Sequence, residues 1–281
     1  MKNEMHGDLH SSSVRDANHG LFGGEFVKDS DKMPSKHKAR YLYAVVPGTE
    51  EVEYADCGLG GGTVYTVSNG KVAAVVSDIP NEKIRPERRN LAAHQGILKR
   101  VMKKITPLPM AFGIVANSTE SIQKILSENQ QAFVKQLKHV TNKMEMGLRV
   151  TWNMPNIFEY FVHNNPALRA ARDRFFGASH EPTQEEKMEL GRIFDRILSE
   201  DREAHTEKVE EVLSICCYDI KRNKCGREND VMKLACLVDR DAEKDFEEVV
   251  LKAANQFDNN FLFDFNGPWP PYNFVEIKIE L

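Results

Sequence analysis

One run near the C-terminal end, Phe265-Asn266-Gly267-Pro268-Trp269-Pro270-Pro271-Tyr272-Asn273-Phe274-Val275, limits the fold more than any other stretch. Its prolines stiffen the backbone and remove N–H donors, so it cannot continue a central strand or a helix. The residue before a proline is pushed out of the helical region, so Gly267 reads as the end of a strand. Phe263 and Phe265 enter with strand alternation, and Phe274 to Ile279 leave with it. Trp269 and Tyr272 then sit on a rigid crossing between two extended runs. Preset aromatic rings lose little entropy on contact, as a docking surface requires. A hydrophobic corner that closes a sheet edge would use the same residues.

Composition bounds what can surround that crossing. With 281 residues, two domains with real cores are possible. A charged fraction of 28 % suits a soluble chain, and no apolar run reaches membrane-span length. The first residues lack the apolar segment of a secretory signal. A net charge of −4 supplies no global basic field for nucleic acid. Five cysteines without a CxxC fit free thiols in a reducing cytoplasm.

Residues 1–39 carry little periodicity and read as a disordered tail. From residue 40 the order of elements is β-β-β-α-β-α. Arg40 to Val46 is a buried strand stopped by Pro47-Gly48. Val64 to Val67 and Val72 to Ser77 flank Asn69-Gly70, the signature of a type I′ hairpin. A helix over Glu87 to Lys104 carries Leu91, His94, Leu98, Val101 and Ile105 on one face. Pro107 to Val115 turns into an apolar strand. Asn117-Ser118-Thr119-Glu120 opens one helix with Ile122, Leu126, Phe133 and Leu137 inside. This N-terminal α+β domain covers 40–142.

A second domain, 143–281, reads β-α-β-β-α-β, the ferredoxin-like plan. Met146, Leu148, Val150 and Trp152 alternate along its first strand. One or two helical turns follow after Asn153 and continue through Leu168 to Phe176. A long helix then starts at the Thr183-x-x-Glu186 capping box and runs to about Ser214. Strands at Ile215–Ile220 and Met232–Val238 come next. A helix capped by Asp239 or Asp241 holds Phe246, Val249, Val250, Ala253 and Phe257 inward. Phe261 to Phe265 is the last strand before the prolines.

The chemistry-bearing residues form no catalytic set. Cys57-Gly58-Leu59-Gly60-Gly61-Gly62 resembles a phosphate loop only in glycine content, since a strand follows it and no Lys-Ser/Thr does. His94 lies within an apolar stripe with no second ligand at i±4, so a hydrogen-bonded core histidine is expected. Asp201 and His205, at i,i+4 within the long helix's stripe, offer only two ligand types for a metal and read instead as an interhelical or interdomain polar contact. Cys216 and Cys217, read on a strand, point to opposite faces and so do not share a metal. Arg169, Arg172 and Arg174 read as a solvated helix face. No catalytic, cofactor-binding or metal-binding residues are expected, and the chain is not read as an enzyme.

Gly267-Pro268-Trp269-Pro270-Pro271-Tyr272 with Asn273-Phe274-Val275 resembles the C-terminal signature of gas vesicle accessory proteins of the GvpF/GvpL type. Tyr41-Leu42-Tyr43, Leu91-Ala92-Ala93-His94, Pro109-Met110-Ala111-Phe112-Gly113 and Glu145-x-Gly147-x-Arg149-Val150 resemble further parts of that pattern, from about Arg40 to Leu281. Ala111 departs from an arginine usual before the Phe-Gly pair, Arg149 from a frequent lysine, and Asn273 from a frequent serine. The resemblance implies a minor protein at the gas vesicle and in the cytoplasm. It would bind the small apolar shell subunit GvpA, or other gas vesicle accessory proteins, to nucleate or chaperone assembly. Trp269, Pro270, Pro271, Tyr272 and Phe112 are the expected partner-binding residues. The alternative from the fold plan alone is a ferredoxin-like module that binds a small regulatory ligand.

Overall fold

A computed structural model describes residues 39–48, 52–80, 84–177 and 181–277. The expectations for residues 1–38 and for Lys278 to Leu281 lie outside the described residues. Two antiparallel sheets and their helices make up the rest, a mixed α+β architecture.

The first sheet is built around β1 (Ala39–Pro47), whose aromatic and β-branched residues are buried along nearly the whole strand. It pairs with β4 (Val72–Ile79), which pairs with β3 (Thr63–Ser68), and β3 with an edge strand β2 (Glu53–Cys57). A register shift between Leu42 and Ala44 breaks the alternation of β1, so that adjacent Tyr43 and Ala44 join the same core cluster. Tyr41, Tyr43, Ala44 and Val46 face α1 (Arg88–Met102), while Leu42 and Val45 face α2 (Thr119–Glu128) and α3 (Gln130–Val140).

The β3–β4 turn is not type I′: Asn69 is not at positive φ, and Gly70 alone is (φ 88°). The Asn69 side chain explains this, because its Oδ1 accepts from the N–H groups of Lys71 and Val72 and closes the turn by itself. The acidic stretch of β2 carried no strand pattern, yet it pairs along one side with β3. Pro107 to Val115 is not one strand. Two-residue strands β5 (Leu108–Pro109) and β6 (Val115–Ala116) pair with opposite ends of β1, and Phe112-Gly113 turns between them. The single helix after Ser118 is two. Asn129 breaks it by turning its Nδ2 back to the Ile125 carbonyl, although Ile122, Leu126, Phe133 and Leu137 are all buried as expected.

The second sheet has the order β10-β7-β9-β8, antiparallel throughout. Its strands are β7 (Lys143–Trp152), β8 (Asp219–Arg222), β9 (Asp230–Asp239) and β10 (Phe261–Trp269). Met144, Met146, Leu148, Val150 and Trp152 of β7 bury one face under α4 (Ile157–Asn164), α5 (Pro166–Phe176), α6 (Gln184–Leu213) and α7 (Glu243–Ala254). Pro166 at the start of α5 separates it from α4, with Asn165 as the cap. The capping box of α6 is present, with Thr183 and Glu186 satisfying each other's backbone N–H. Ala235 and Leu237 of β9 face the other way. With Phe274 they join the cluster that holds Leu42, Phe133 and Leu137, so the two sheets share a core.

Cys216 and Cys217 are not on a strand. Their N–H groups both donate to the Leu213 carbonyl in the turn that closes α6, and their Sγ atoms lie 3.8 Å apart. Neither Asp239 nor Asp241 caps α7 by its side chain; Ala242 holds that position. Phe274 to Ile277 is not a strand: Tyr272–Phe274 is a 3-10 turn, and the following residues are unpaired by strand bonds.

Candidate functional site

The proline run does not stand free. It straps the second sheet to α1. Strand β10 extends past the expected stop at Gly267 as far as Trp269, with a register shift between Asn266 and Trp269 opposite β7. Gly267 takes φ 138°, which favours glycine, and a Cβ there would lie 2.6 Å from the Met146 sulfur. The Gly267–Pro268 peptide is cis. Gly147 on β7 leaves room for the Asn266 side chain, and Asn266 Oδ1 accepts from Trp269 Nε1–H at 2.6 Å. The indole is fixed before anything meets it.

Gln95 and Lys99 are four residues apart on α1 and so share a face. Both reach the strap. Lys99 Nζ lies 4.0 Å from the centre of the Trp269 ring. Gln95 Nε2 donates to the Tyr272 hydroxyl at 3.1 Å. Pro270 and Pro271 are buried between these contacts. On the other side, Asn273 donates from its backbone N–H (2.8 Å) and its Nδ2 (2.6 Å) to the two carboxylate oxygens of Glu145. Glu145 is only 7 % exposed, and burial raises its pKa above the usual carboxylate range, with the Asn273 donors opposing. Phe274 then enters the shared core.

Beneath Tyr272 lies a hub around His94, itself 2 % exposed. The Tyr41 hydroxyl is 2.9 Å from His94 Nδ1 and accepts from the Gly113 N–H at 3.0 Å, so its own proton is assigned to the imidazole. His94 Nε2 faces the Tyr272 hydroxyl at 3.4 Å. The Tyr43 ring stacks on His94, and Phe112 meets it edge-on at 5.8 Å between centres. Burial lowers the His94 pKa to about 4, and a hydrogen bond with the Met110 backbone opposes the shift. Burial likewise pushes the Tyr41 and Tyr272 hydroxyls above their ordinary range. The expected core histidine is found, but its partners come from three distant elements.

Of the expected contact residues, Phe112 and Tyr272 are brought together around His94, and Trp269 stands apart against Lys99. All three are half-buried. Glu145, Gln95, Lys99 and Asn266 complete the arrangement and were not expected. The other candidate histidine, His205, pairs with Asp201 at 3.2 Å and packs its ring on Phe257 and Phe261. Among the described residues no three His, Cys, Asp or Glu side chains are grouped so as to hold a metal ion. Arg169 donates to the Val162 and His163 carbonyls at the end of α4, and Arg172 pairs with Asp173.

The family model described as gas vesicle synthesis protein GvpL/GvpF matches residues 39–276, which include both sheets and the whole strap. The chain belongs to the GvpL/GvpF family. Gas vesicle protein F of a Streptomyces strain is 28 % identical over 215 residues, covering 76 % of this chain and 88 % of that one. Gas vesicle protein L of the same strain is 24 % identical over 270 residues, covering 88 % and 96 %. The crystal structure of GvpF from an Anabaena strain has a TM-score of 0.73 at 22 % identity, covering 86 % of this chain and 99 % of that one. GvpF from Microcystis aeruginosa gives 0.72 at 19 %, covering 85 % and 99 %. At those identities the two structures establish a common fold for this GvpL/GvpF chain.

Proposed function

We propose that this chain is an accessory factor of gas vesicle formation that works by non-covalent binding. Its clients are the apolar shell subunit GvpA, other accessory proteins, or both, held until they join the growing wall. It acts in the cytoplasm and at the vesicle, and it is a binder rather than an enzyme. The observation that carries this reading is the family match over nearly the full described length. A binder of apolar clients needs rigid aromatic contacts with a polar rim. Trp269, clamped by Asn266 and flanked by Lys99, has that character, and Phe112 is the second half-buried ring open to a partner. Pro270, Pro271 and Tyr272 support it from within.

The join near Asn142, whose backbone is left-handed (φ 56°), is read as the boundary between an N-terminal α+β domain and a ferredoxin-like one. The antiparallel order β10-β7-β9-β8, with helices on one face, supports the latter assignment. The test is co-expression of the shell protein with and without this chain. Soluble shell protein and vesicle yield are expected to fall without it. Equal solubility and equal yield would sink the proposal.

A further inference from the structure

Helix α1 has no acidic residue between Arg88 and Met102, and its outer face is cationic at both ends. Arg88 and Arg89 are exposed in its first turn; Lys99, Arg100, Lys103 and Lys104 are exposed at and beyond its last. Cations at a helix C-terminus complement the macrodipole and need no further reason. Cations in the first turn oppose it; Arg89 is offset by its ion pair with the N-cap residue Glu87 at 3.0 Å, but the macrodipole does not favour Arg88. At 100° per residue, Arg88, Ala92, Gly96, Lys99 and Lys103 form one stripe about 22 Å long. Its middle is low. Glycine is a poorer helix former than alanine, yet a Cβ at Gly96 would meet nothing within 4 Å inside the protein. The space is kept on the outer side. Trp269, under Lys99, borders the stripe at one end.

We infer that this face of α1 docks an acidic helical segment of a partner protein. The inference rests on the accessory-factor reading above and names the chemistry of one contact. The cationic ends fit carboxylates, and the Ala92–Gly96 dip admits a close helix backbone. A whole-chain charge of −4 opposes extended polyanions such as anionic membranes or nucleic acid, while a local basic strip still attracts a short acidic segment.

The test uses the full chain and a fluorescein-labelled helical peptide of about 18 residues, with Glu at i,i+4 positions and Ala between. The same peptide with Gln for Glu is the control. Binding by anisotropy is expected for the Glu peptide only. It should weaken at least about tenfold between roughly 50 and 300 mM salt. A triple variant, Arg88→Gln, Lys99→Gln, Lys103→Gln, should lose at least about tenfold in affinity. Lys135→Gln with Lys138→Gln, exposed on α3, should lose none. All these side chains are exposed, so circular dichroism should match the parent for both variants.

Unchanged binding by the triple variant, or tighter binding to phosphatidylserine vesicles or single-stranded RNA than to the peptide, would overturn the inference. Pull-down from vesicle-forming cells separates the two levels. If the parent chain captures no gas vesicle protein, the accessory-factor reading fails. If the parent and the triple variant capture the same gas vesicle proteins equally, only the docking face is wrong.

Discussion

The seam under the strap and the loop before β9 do similar work with opposite chemistry. At the seam, Tyr41, His94, Tyr272 and Gln95 are joined by neutral hydrogen bonds within an aromatic cluster. At the loop, Asp230 is fully buried and accepts from the N–H groups of Gly226 and Arg227, from Arg149 Nε, and ion-pairs with Lys233. Arg202 adds donors to the Asp230 and Glu228 carbonyls. Burial alone would raise the Asp230 pKa, but these donors prevail and hold it below the usual range. Neutral hydrogen bonds link the aromatic residues at the seam, while ionic ones tie β7 and a polar loop to the start of β9. The two should therefore answer differently to mutation, pH and salt.

The largest effect is expected at the ionic end. Asp230→Ala leaves Arg149 without its partner and two loop N–H groups unsatisfied. It should cost about 3–5 kcal/mol in urea unfolding, more than any single change at the seam's hydrogen bonds. A loss below about 1 kcal/mol would erase the contrast.

The seam should instead show itself through pH. His94 has an unfolded pKa near 6.5 and a folded value of about 4. Between those values the unfolded chain binds a proton that the folded chain refuses. Stability from this group is therefore complete above about pH 6.5 and falls as pH drops to about 4, by roughly 3 kcal/mol in all. The difference between the parent and His94→Gln, followed through that window, isolates the effect from that of Glu145. A flat difference would mean that the ring is not held neutral by burial.

Tyr272→Phe removes one hydroxyl from the same cluster. About 1–2 kcal/mol should be lost, with little dependence on salt, because the partners are neutral. Smallest of all, Arg222→Gln breaks pairs with Glu203 and Glu210 on a surface where Arg222 is 42 % exposed. It should cost under about 1 kcal/mol, and that cost should shrink at high salt.

Local patterns were legible in the sequence where one face decides the element. The alternation of β7, the apolar run of β1 and the Thr183–Glu186 box each carry their own signal, and each element is found. Signals failed where a neighbour decides. β2 is acidic and forms because β3 offers an edge. Ile215 to Tyr218 looks like a strand, but its first N–H groups are taken by the last turn of α6. At the candidate site, Trp269 and Tyr272 were visible as stiff aromatics. Their partners were not, because Gln95 and Glu145 meet Tyr272 and Asn273 across separations of 177 and 128 residues. Nothing local encodes such a pairing.

The mixed cluster of Leu42, Phe133, Ala235, Leu237 and Phe274 has a practical consequence for anyone who dissects this molecule. A cut between α3 and β7 would strip each fragment of part of its own lining and bare greasy surface on both. Fragments made that way should stick to many proteins indiscriminately, so mapping of clients belongs on point variants of the intact chain.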